Sequence, residues 1–311
     1  MTRRTVVVTG AAGRIAGLVL PALRERYDLI LLDLRMTDRD GQPLEGVRIA
    51  DLVDPDRDTY RSHFTGADAV VHFGFASAGR QDGDAYFQAE LNNVQMAYNV
   101  YQTALEEGVR RVVVASSNHA ADYYESLILD GDLDHVDPDA RAQSDNYYGW
   151  AKETYEHLGF VFATGKQSDT ALQNVQIRIG GPRETDVGNC KLGDLRCMRR
   201  ALGAYISDRD MQQLFVKSIE TEDILDAQGV PFQIFYGISD NPHAFWSIAN
   251  ARRVVGYAPQ DNSEVRFVDD ELGRLFDALD ERGLLETAAI VLTADHGESL
   301  GESNFWFSHG E

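Results

Sequence analysis

Thr5-Val-Val-Val-Thr9 runs without a break into Gly10-Ala-Ala-Gly13-Arg-Ile-Ala16-Gly17, and few folds accept that junction. The valine run predicts a fully buried strand, and the apolar pattern that follows predicts a helix through Ala16 to about Glu25. Glycines at 10 and 13 allow a tight turn and let the backbone approach a pyrophosphate, whose charge meets the helix amino terminus. Ala16, the third small position, still permits close helix-to-strand packing.

A second strand, Leu29-Ile-Leu-Leu32, ends in Asp33, about twenty residues past Gly13, where a carboxylate can hydrogen-bond an adenosine ribose. That position favours NAD over NADP. Arg35, two residues on, is the opposing vote, since a guanidinium accommodates a ribose phosphate. A third strand, Val47-Arg-Ile-Ala50, leads into Asp51-Leu52, an expected adenine contact.

Further along, strand and helix patterns alternate. Strands are expected at 69–73, 111–115 and 175–179, with helices at 85–107 and 147–163 between them. Such alternation means a parallel α/β sheet covered on both faces, a doubly wound Rossmann architecture. Ligands then bind beyond the carboxyl ends of the strands, which is where Gly74, Ser77, Ser116, Ser117, Gly180 and Gly181 fall.

Tyr148 and Lys152 are four residues apart on the expected helix 147–163 and so share a face. A phenol ordinarily loses its proton near pH 10, and a neighbouring ammonium favours the ionised form, so the spacing predicts a lysine that lowers the tyrosine's pKa. His72, inside an apolar strand, is expected to be a satisfied core residue. His119, at the end of a strand, is expected to line the pocket. Phe245 and Trp246 are expected to pack as a lid.

The chain has 311 residues and a formal charge of −21. That charge repels phosphate backbones and anionic lipid, which disfavours nucleic acid and membrane as partners. It leaves room for an anionic small molecule held by local arginines, because charges further than about 8 to 10 Å are screened. With no apolar run of the ~20 residues a bilayer requires and no signal-peptide core, a cytoplasmic location is expected. Cys190 and Cys197 are expected to be free thiols, and no metal site is expected.

Taken together, Thr9-Gly10-x-x-Gly13, Asp33, Asp51-Leu52, Ser117, Tyr148 and Lys152 resemble the extended short-chain dehydrogenase/reductases, the NAD-dependent epimerase/dehydratase family, over residues 1 to about 267. Ser116-Ser117-Asn118-His119, Tyr147-Tyr148-Gly149, Arg178-Ile179-Gly180 and Tyr236-Gly237-Ile238-Ser239-Asp240-Asn241 with Phe245-Trp246 resemble more narrowly the uronate dehydrogenases and related sugar dehydrogenases. The resemblance implies Tyr148 as general base, Lys152 as its activator and ribose ligand, Ser117 as partner of the reacting hydroxyl, and Asn93 as the residue positioning a relay water. It implies a cofactor site of Gly10, Ala12, Gly13, Arg14, Ile15, Asp33, Asp51, Leu52, Phe73, Gly74, Ala115, Tyr148, Lys152 and Ile179. Substrate would meet Ser77, Ser117, Asn118 and His119, with Arg199 and Arg200 resembling the segment that clamps a carboxylate.

The implied reaction is oxidation of a hexuronate at its anomeric carbon to a lactone. Its competitors are a sugar-phosphate or aldose dehydrogenase, a nucleotide-sugar epimerase or dehydratase, and a silent NAD-sensing protein. Two departures from the uronate dehydrogenase pattern fall in the pocket wall: Gly181-Pro182 stands where a serine is usual, and residues 183–195 form a longer stretch. The part specific to substrate is expected mainly within 181–267, and a homodimer is expected through helices 85–107 and 147–164.

Residues 268–311 resemble a different family. A helix is expected over 269–283 and a buried strand over 289–293, followed by Asp295-His296, and this piece resembles a sulfatase metal-binding segment. The sulfatase nucleophile motif and the other metal-binding strands are missing. Asp295, His296 and His309 are therefore expected to be a non-functional remnant.

Overall fold

The computed structural model describes residues 3–77, 79, 83–183, 186–191, 193–286 and 290–291, and the backbone of 298–300 and 306–309. The chain divides into two compact units, Met1–Arg266 and Phe267–Glu311.

In the first unit the elements run β1 (Thr5–Thr9), α1 (Arg14–Arg26), β2 (Asp28–Asp33), β3 (Val47–Ile49), β4 (Ala69–His72), α2 (Gly83–Glu106), β5 (Arg111–Ser117) and α3 (Tyr123–Asp130). They continue with α4 (Tyr147–Ala163), β6 (Gln173–Ile179), α5 (Leu195–Ala204), α6 (Asp208–Glu220), β7 (Phe232–Gly237) and α7 (Ala249–Val255). Among the described residues the strands form one seven-stranded sheet in the order β3-β2-β1-β4-β5-β6-β7. Every pairing is parallel. The doubly wound expectation is met, and the order reverses between β1 and β4, the switch point at which such sheets bind ligands.

Strand periodicity explains why both faces are covered. Val6 and Val8 join Leu20, Leu23, Leu214 and Phe215 in one apolar cluster, while Val7 joins Val100, Tyr101, Val112 and Val114 in another. Successive residues of a strand point to opposite faces, so an all-apolar strand feeds two cores. Helices α1 and α6 pack together, as do α2 and α4.

The sequence did not announce β7 or α3 as regular elements, and it misjudged the cysteines. Cys190 and Cys197 are not free thiols but a disulfide, with Cα atoms 5.6 Å apart. A short turn over Val187–Asn189 and the capping of α5 by Asp194, whose carboxylate accepts from Cys197 N at 3.1 Å, bring the first turn of α5 back onto Cys190. Disulfides are rare in reducing compartments, so this bridge and a cytoplasmic location pull in opposite directions. Among the described residues, no helix is long and apolar enough to cross a membrane.

The helix expected over 269–283 is present as α8 (Ser263–Glu281), which begins six residues earlier than expected and has only Ser263 buried. Of the expected buried strand 289–293, Ile290 and Val291 lie outside any strand and are exposed, and the rest falls outside the described residues. The backbone of β8 (Glu298–Leu300) and β9 (Trp306–His309) pairs antiparallel. Asp295 and His296 lie outside the described residues, as does the side chain of His309.

Candidate active site

The glycine turn sits between β1 and α1. Gly10 has φ +64°, and a Cβ there would lie 2.6 Å from Gly74 N and Phe73 C, so the loops after β1 and β4 touch through backbone alone. Gly13 N donates to Gly10 O at 2.9 Å and closes the turn. Gly13 caps α1 without a side-chain bond, which leaves that helix end to backbone N–H groups. At the end of β2, Asp33 Oδ2 accepts from Ala12 N at 2.9 Å and Oδ1 accepts from Arg35 N at 3.0 Å. The Arg35 guanidinium donates to Ala12 O at 3.0 Å, so Asp33 and Arg35 both brace the turn. A crowded glycine, an uncapped helix start and a strand-end carboxylate suit a dinucleotide.

Below the turn, His72 Nδ1 meets Thr9 Oγ1 at 2.7 Å, and burial lowers the imidazole's pKa to about 3. His72 is the satisfied core residue expected. Asp51 bonds Val53 N at 3.0 Å and is exposed, whereas Leu52 is buried. Phe73 and Ile179 are buried near the ends of β4 and β6. Arg14 reaches across to donate to Pro182 O at 2.8 Å, and Ile15, next to it, packs against the core.

Opposite the turn, β5 ends in Ser116-Ser117, and Asn146 caps α4 by accepting from Gly149 N at 2.9 Å. Asn146 therefore fixes the first turn of α4, which carries Tyr148. The Tyr148 phenol lies close enough to Ser117 for that hydroxyl to pull its pKa down, and its ring lies edge-on to Phe75 at 5.4 Å and to His119 at 5.4 Å. One turn on, the buried Lys152 donates from Nζ to Ala115 O at 2.9 Å and sits 5.4 Å from the Tyr148 ring centroid. The expected Ser117, Tyr148 and Lys152 do converge.

The expected lowering of the tyrosine's pKa is not found. Burial raises the Tyr148 pKa, with the Ser117 hydroxyl pulling the other way. Burial also lowers Lys152 to about 8, against the opposing pull of Glu90 and Glu156. Both groups are taken out of water together, so desolvation outweighs what the spacing alone suggests.

Asn93 is tied to the loop after β4 and to Glu90. It accepts from Ala76 N at 2.7 Å and donates to Ala76 O at 3.0 Å and Glu90 Oε2 at 3.0 Å. It thus clamps the loop that leads to the exposed Ser77, whose Oγ accepts from Gly79 N at 3.1 Å. Glu90 and Glu156, both buried and both acting to keep Lys152 charged, were missed. A Glu three residues before Asn93 on one helix face was the available signal. Glu156 accepts from Ser116 Oγ at 2.5 Å and pairs with the buried Arg178 at 2.8 Å.

On the substrate side, Asn118 is buried and its Nδ2 has no hydrogen-bond partner, so it is a donor beside Ser117. His119 Nδ1 bonds Asp122 Oδ2 at 2.5 Å, and Asn146 Nδ2 donates to the same oxygen at 2.9 Å. The arginines diverge from the clamp expected of them. Arg199 lies over the Phe245 ring, 6.0 Å from its centroid, and Arg200 Nε donates to Glu125 Oε2 at 3.3 Å. Phe245 and Trp246 are buried against each other, centroids 4.0 Å apart, which fits packing. A wider cavity behind α4, lined by His157, Phe160 and Arg253, contains none of Ser117, Tyr148 or Lys152.

Comparison with known proteins agrees with this geometry. The model of the NAD dependent epimerase/dehydratase family matches residues 6–172. The chain belongs to that family. An NAD-dependent glucose-6-phosphate dehydrogenase of Haloferax volcanii is 30% identical over 83% of this chain and 94% of its own length. An L-arabinose 1-dehydrogenase (NAD(P)(+)) of the same organism is 30% identical over 83% of this chain and 97% of its own. The crystal structure of uronate dehydrogenase from Agrobacterium tumefaciens superposes with a TM-score of 0.65 at 25% identity, covering 95% of this chain and 94% of that one.

This epimerase/dehydratase chain carries sulfatase-family sequence as well, because the Sulfatase model matches residues 140–311. That span is longer than the 268–311 expected. Its part up to 266 includes α4, β6 and β7, with β6 and β7 completing the seven-stranded sheet.

Proposed function

We propose that residues 1–266 oxidise a cyclic sugar at its anomeric carbon to a lactone, with NAD as the oxidant. The observation that carries this reading is the meeting of Ser117, Tyr148 and Lys152 at the end of β5, across the switch point from the Gly10 turn. Gly10, Gly13 and the start of α1 would hold the pyrophosphate, Asp33 the adenosine ribose and Lys152 the nicotinamide ribose. Bound NAD would supply a hydride acceptor whose positive ring also favours a phenolate beside it.

The chain's own part is proton transfer and placement. Ser117 and Tyr148 hold the anomeric hydroxyl between them, and Tyr148 takes its proton as the adjacent hydrogen departs. Because burial raises the Tyr148 pKa, the phenolate needs a cation close by, and the buried Lys152 stands one turn away. Positioned base catalysis supplies roughly 10²- to 10⁴-fold. Hexuronate is the anionic candidate for the substrate, sugar phosphate a second, and neutral aldose the uncharged one.

Formation of NADH with a panel of free hexuronates, hexose phosphates, aldoses and UDP-sugars tests the reading. Tyr148→Phe should lower kcat by about 10²-fold or more while leaving the NAD dissociation constant within about twofold. Undiminished turnover would remove Tyr148 as the base. An isomerised UDP-sugar without net NADH would make the protein an epimerase.

A further inference from the structure

A groove lined by His119, whose ring packs edge-on to Tyr148, sets the four carboxylates of Asp122, Glu125, Asp130 and Asp145 against the two guanidiniums of Arg196 and Arg200. Both guanidiniums are already matched within the protein. Arg196 pairs with Asp130 where both side chains are more than half exposed, so that pair is weak and screened. Arg200 pairs with Glu125 in a drier place, with side chains 29% and 19% exposed. Glu125 joins this groove to the reacting end, because Asp122 lies one turn before it on the chain and holds His119, whose ring packs on Tyr148.

Unused polar atoms here are mostly acceptors. Glu125 Oε1 and Asp122 Oδ1 are buried without a hydrogen-bond partner, and Asn118 Nδ2 is a buried donor in the same condition. A neutral sugar offers hydroxyls, each able to donate to a carboxylate oxygen and accept from an amide. The carboxylate or phosphate of an anionic sugar adds oxygens that only accept. To bind Arg200 it would have to displace Glu125, leaving a partly buried carboxylate facing another anion.

We propose that Glu125 selects the charge of the substrate: by holding Arg200, it withholds the cation an anionic sugar needs, so the site prefers a neutral aldose to a hexuronate or sugar phosphate. Glu125 acts through Arg200 and is a positioning residue. The proposal rests on the sugar-oxidising reading and adds to it which sugars are accepted.

The experiment compares galactose with galacturonate, which differ at C6 in charge, in wild type, Glu125→Gln, Arg200→Gln and the double variant. In wild type, kcat/KM for galactose should exceed that for galacturonate by about tenfold or more. Glu125→Gln should raise kcat/KM for galacturonate by about 10- to 100-fold, chiefly through KM, and adding Arg200→Gln should abolish that gain. A merely structural role for Glu125 would change both sugars alike and would not depend on Arg200. The same pair of sugars is titrated by calorimetry into NAD-loaded Tyr148→Phe with and without Glu125→Gln, which reads charge preference without turnover. A wild-type preference for galacturonate, or a galactose-to-galacturonate ratio that Glu125→Gln leaves unchanged in both assays, overturns the proposal. If calorimetry shows the predicted gain for galacturonate in Glu125→Gln while the wild type oxidises neither sugar, the oxidation reading fails and the charge selection stands.

Discussion

The two walls of the candidate site are held in place by different means. On the dinucleotide wall, Gly10 touches the backbone of Phe73 and Gly74, and the Asp33 carboxylate is tied to Ala12 N and Arg35 N, so main chain fixes nearly everything. On the sugar wall, His119 leans on Asp122, Asp122 on Asn146, and Glu125 on Arg200, all side chain to side chain. Two histidines show the contrast. His72 is buried against Thr9, whereas His119 keeps a side chain 40% exposed. Backbone contacts between parallel strands suit a ligand part that never varies, while side-chain pairs can be exchanged one at a time without disturbing the sheet.

The contrast is broken most severely at Gly10. Gly10→Val demands a positive φ from a β-branched residue and drives its Cβ into backbone that cannot swing away. Strain of about 3 kcal/mol or more, roughly a hundredfold in affinity, should fall on NAD binding, as read by NADH fluorescence titration. Undisturbed NAD affinity would show that the dinucleotide wall does not depend on this contact.

Asp33→Ala is gentler. It removes two backbone hydrogen bonds to a charged acceptor, each worth about 1.5 to 3 kcal/mol, and releases Arg35 from its carboxylate. NAD affinity should fall about 10- to 100-fold and discrimination against NADP should shrink. Equal losses for NAD and NADP would mean that Asp33 serves the turn and not the ribose.

His72 offers a test by pH. Its folded pKa of about 3 lies below the ordinary value of about 6.5, so between those limits the unfolded chain binds a proton that the folded chain refuses. Stability should therefore fall as the pH is lowered across that window, by up to about 1.4 kcal/mol per pH unit from this group, and His72→Asn should flatten the slope. Urea midpoints between pH 6.5 and 4.5 provide the measurement; an identical slope in the variant would mean that His72 is not held neutral.

How much of each wall was legible follows from how it is built. Gly10, Gly13, Asp33 and Ser117 stand at strand ends, and Tyr148 with Lys152 at a helical spacing, so period and position betray them. Glu125 and Arg200 are 75 residues apart on α3 and α5, and no local period encodes a pair that exists only after the fold has formed. His119 and Asp122, three residues apart, did leave a signal that went unused. The disulfide escaped because a turn before Cys190 and the start of α5, not a motif, bring together cysteines seven positions apart. The Tyr148 pKa was misjudged because spacing reveals a neighbour's charge but not the burial that both residues share.

The smallest effect is expected from removing residues 268–311. Both walls lie within Met1–Arg266, and each residue placed on them by geometry belongs to that unit. Only Ser263 of α8 is buried, and it precedes the cut. NAD affinity and sugar kcat/KM should thus stay within about twofold of the full chain, with the same melting transition for the first unit. Since sulfatase sequence extends over residues 140–311, the truncated and full chains should also be assayed against an aryl sulfate with and without a chelator. Chelator-sensitive hydrolysis by the full chain alone would give the second unit a chemistry of its own. A loss of NAD binding without change in sugar discrimination, or the reverse, would instead show which wall the second unit supports.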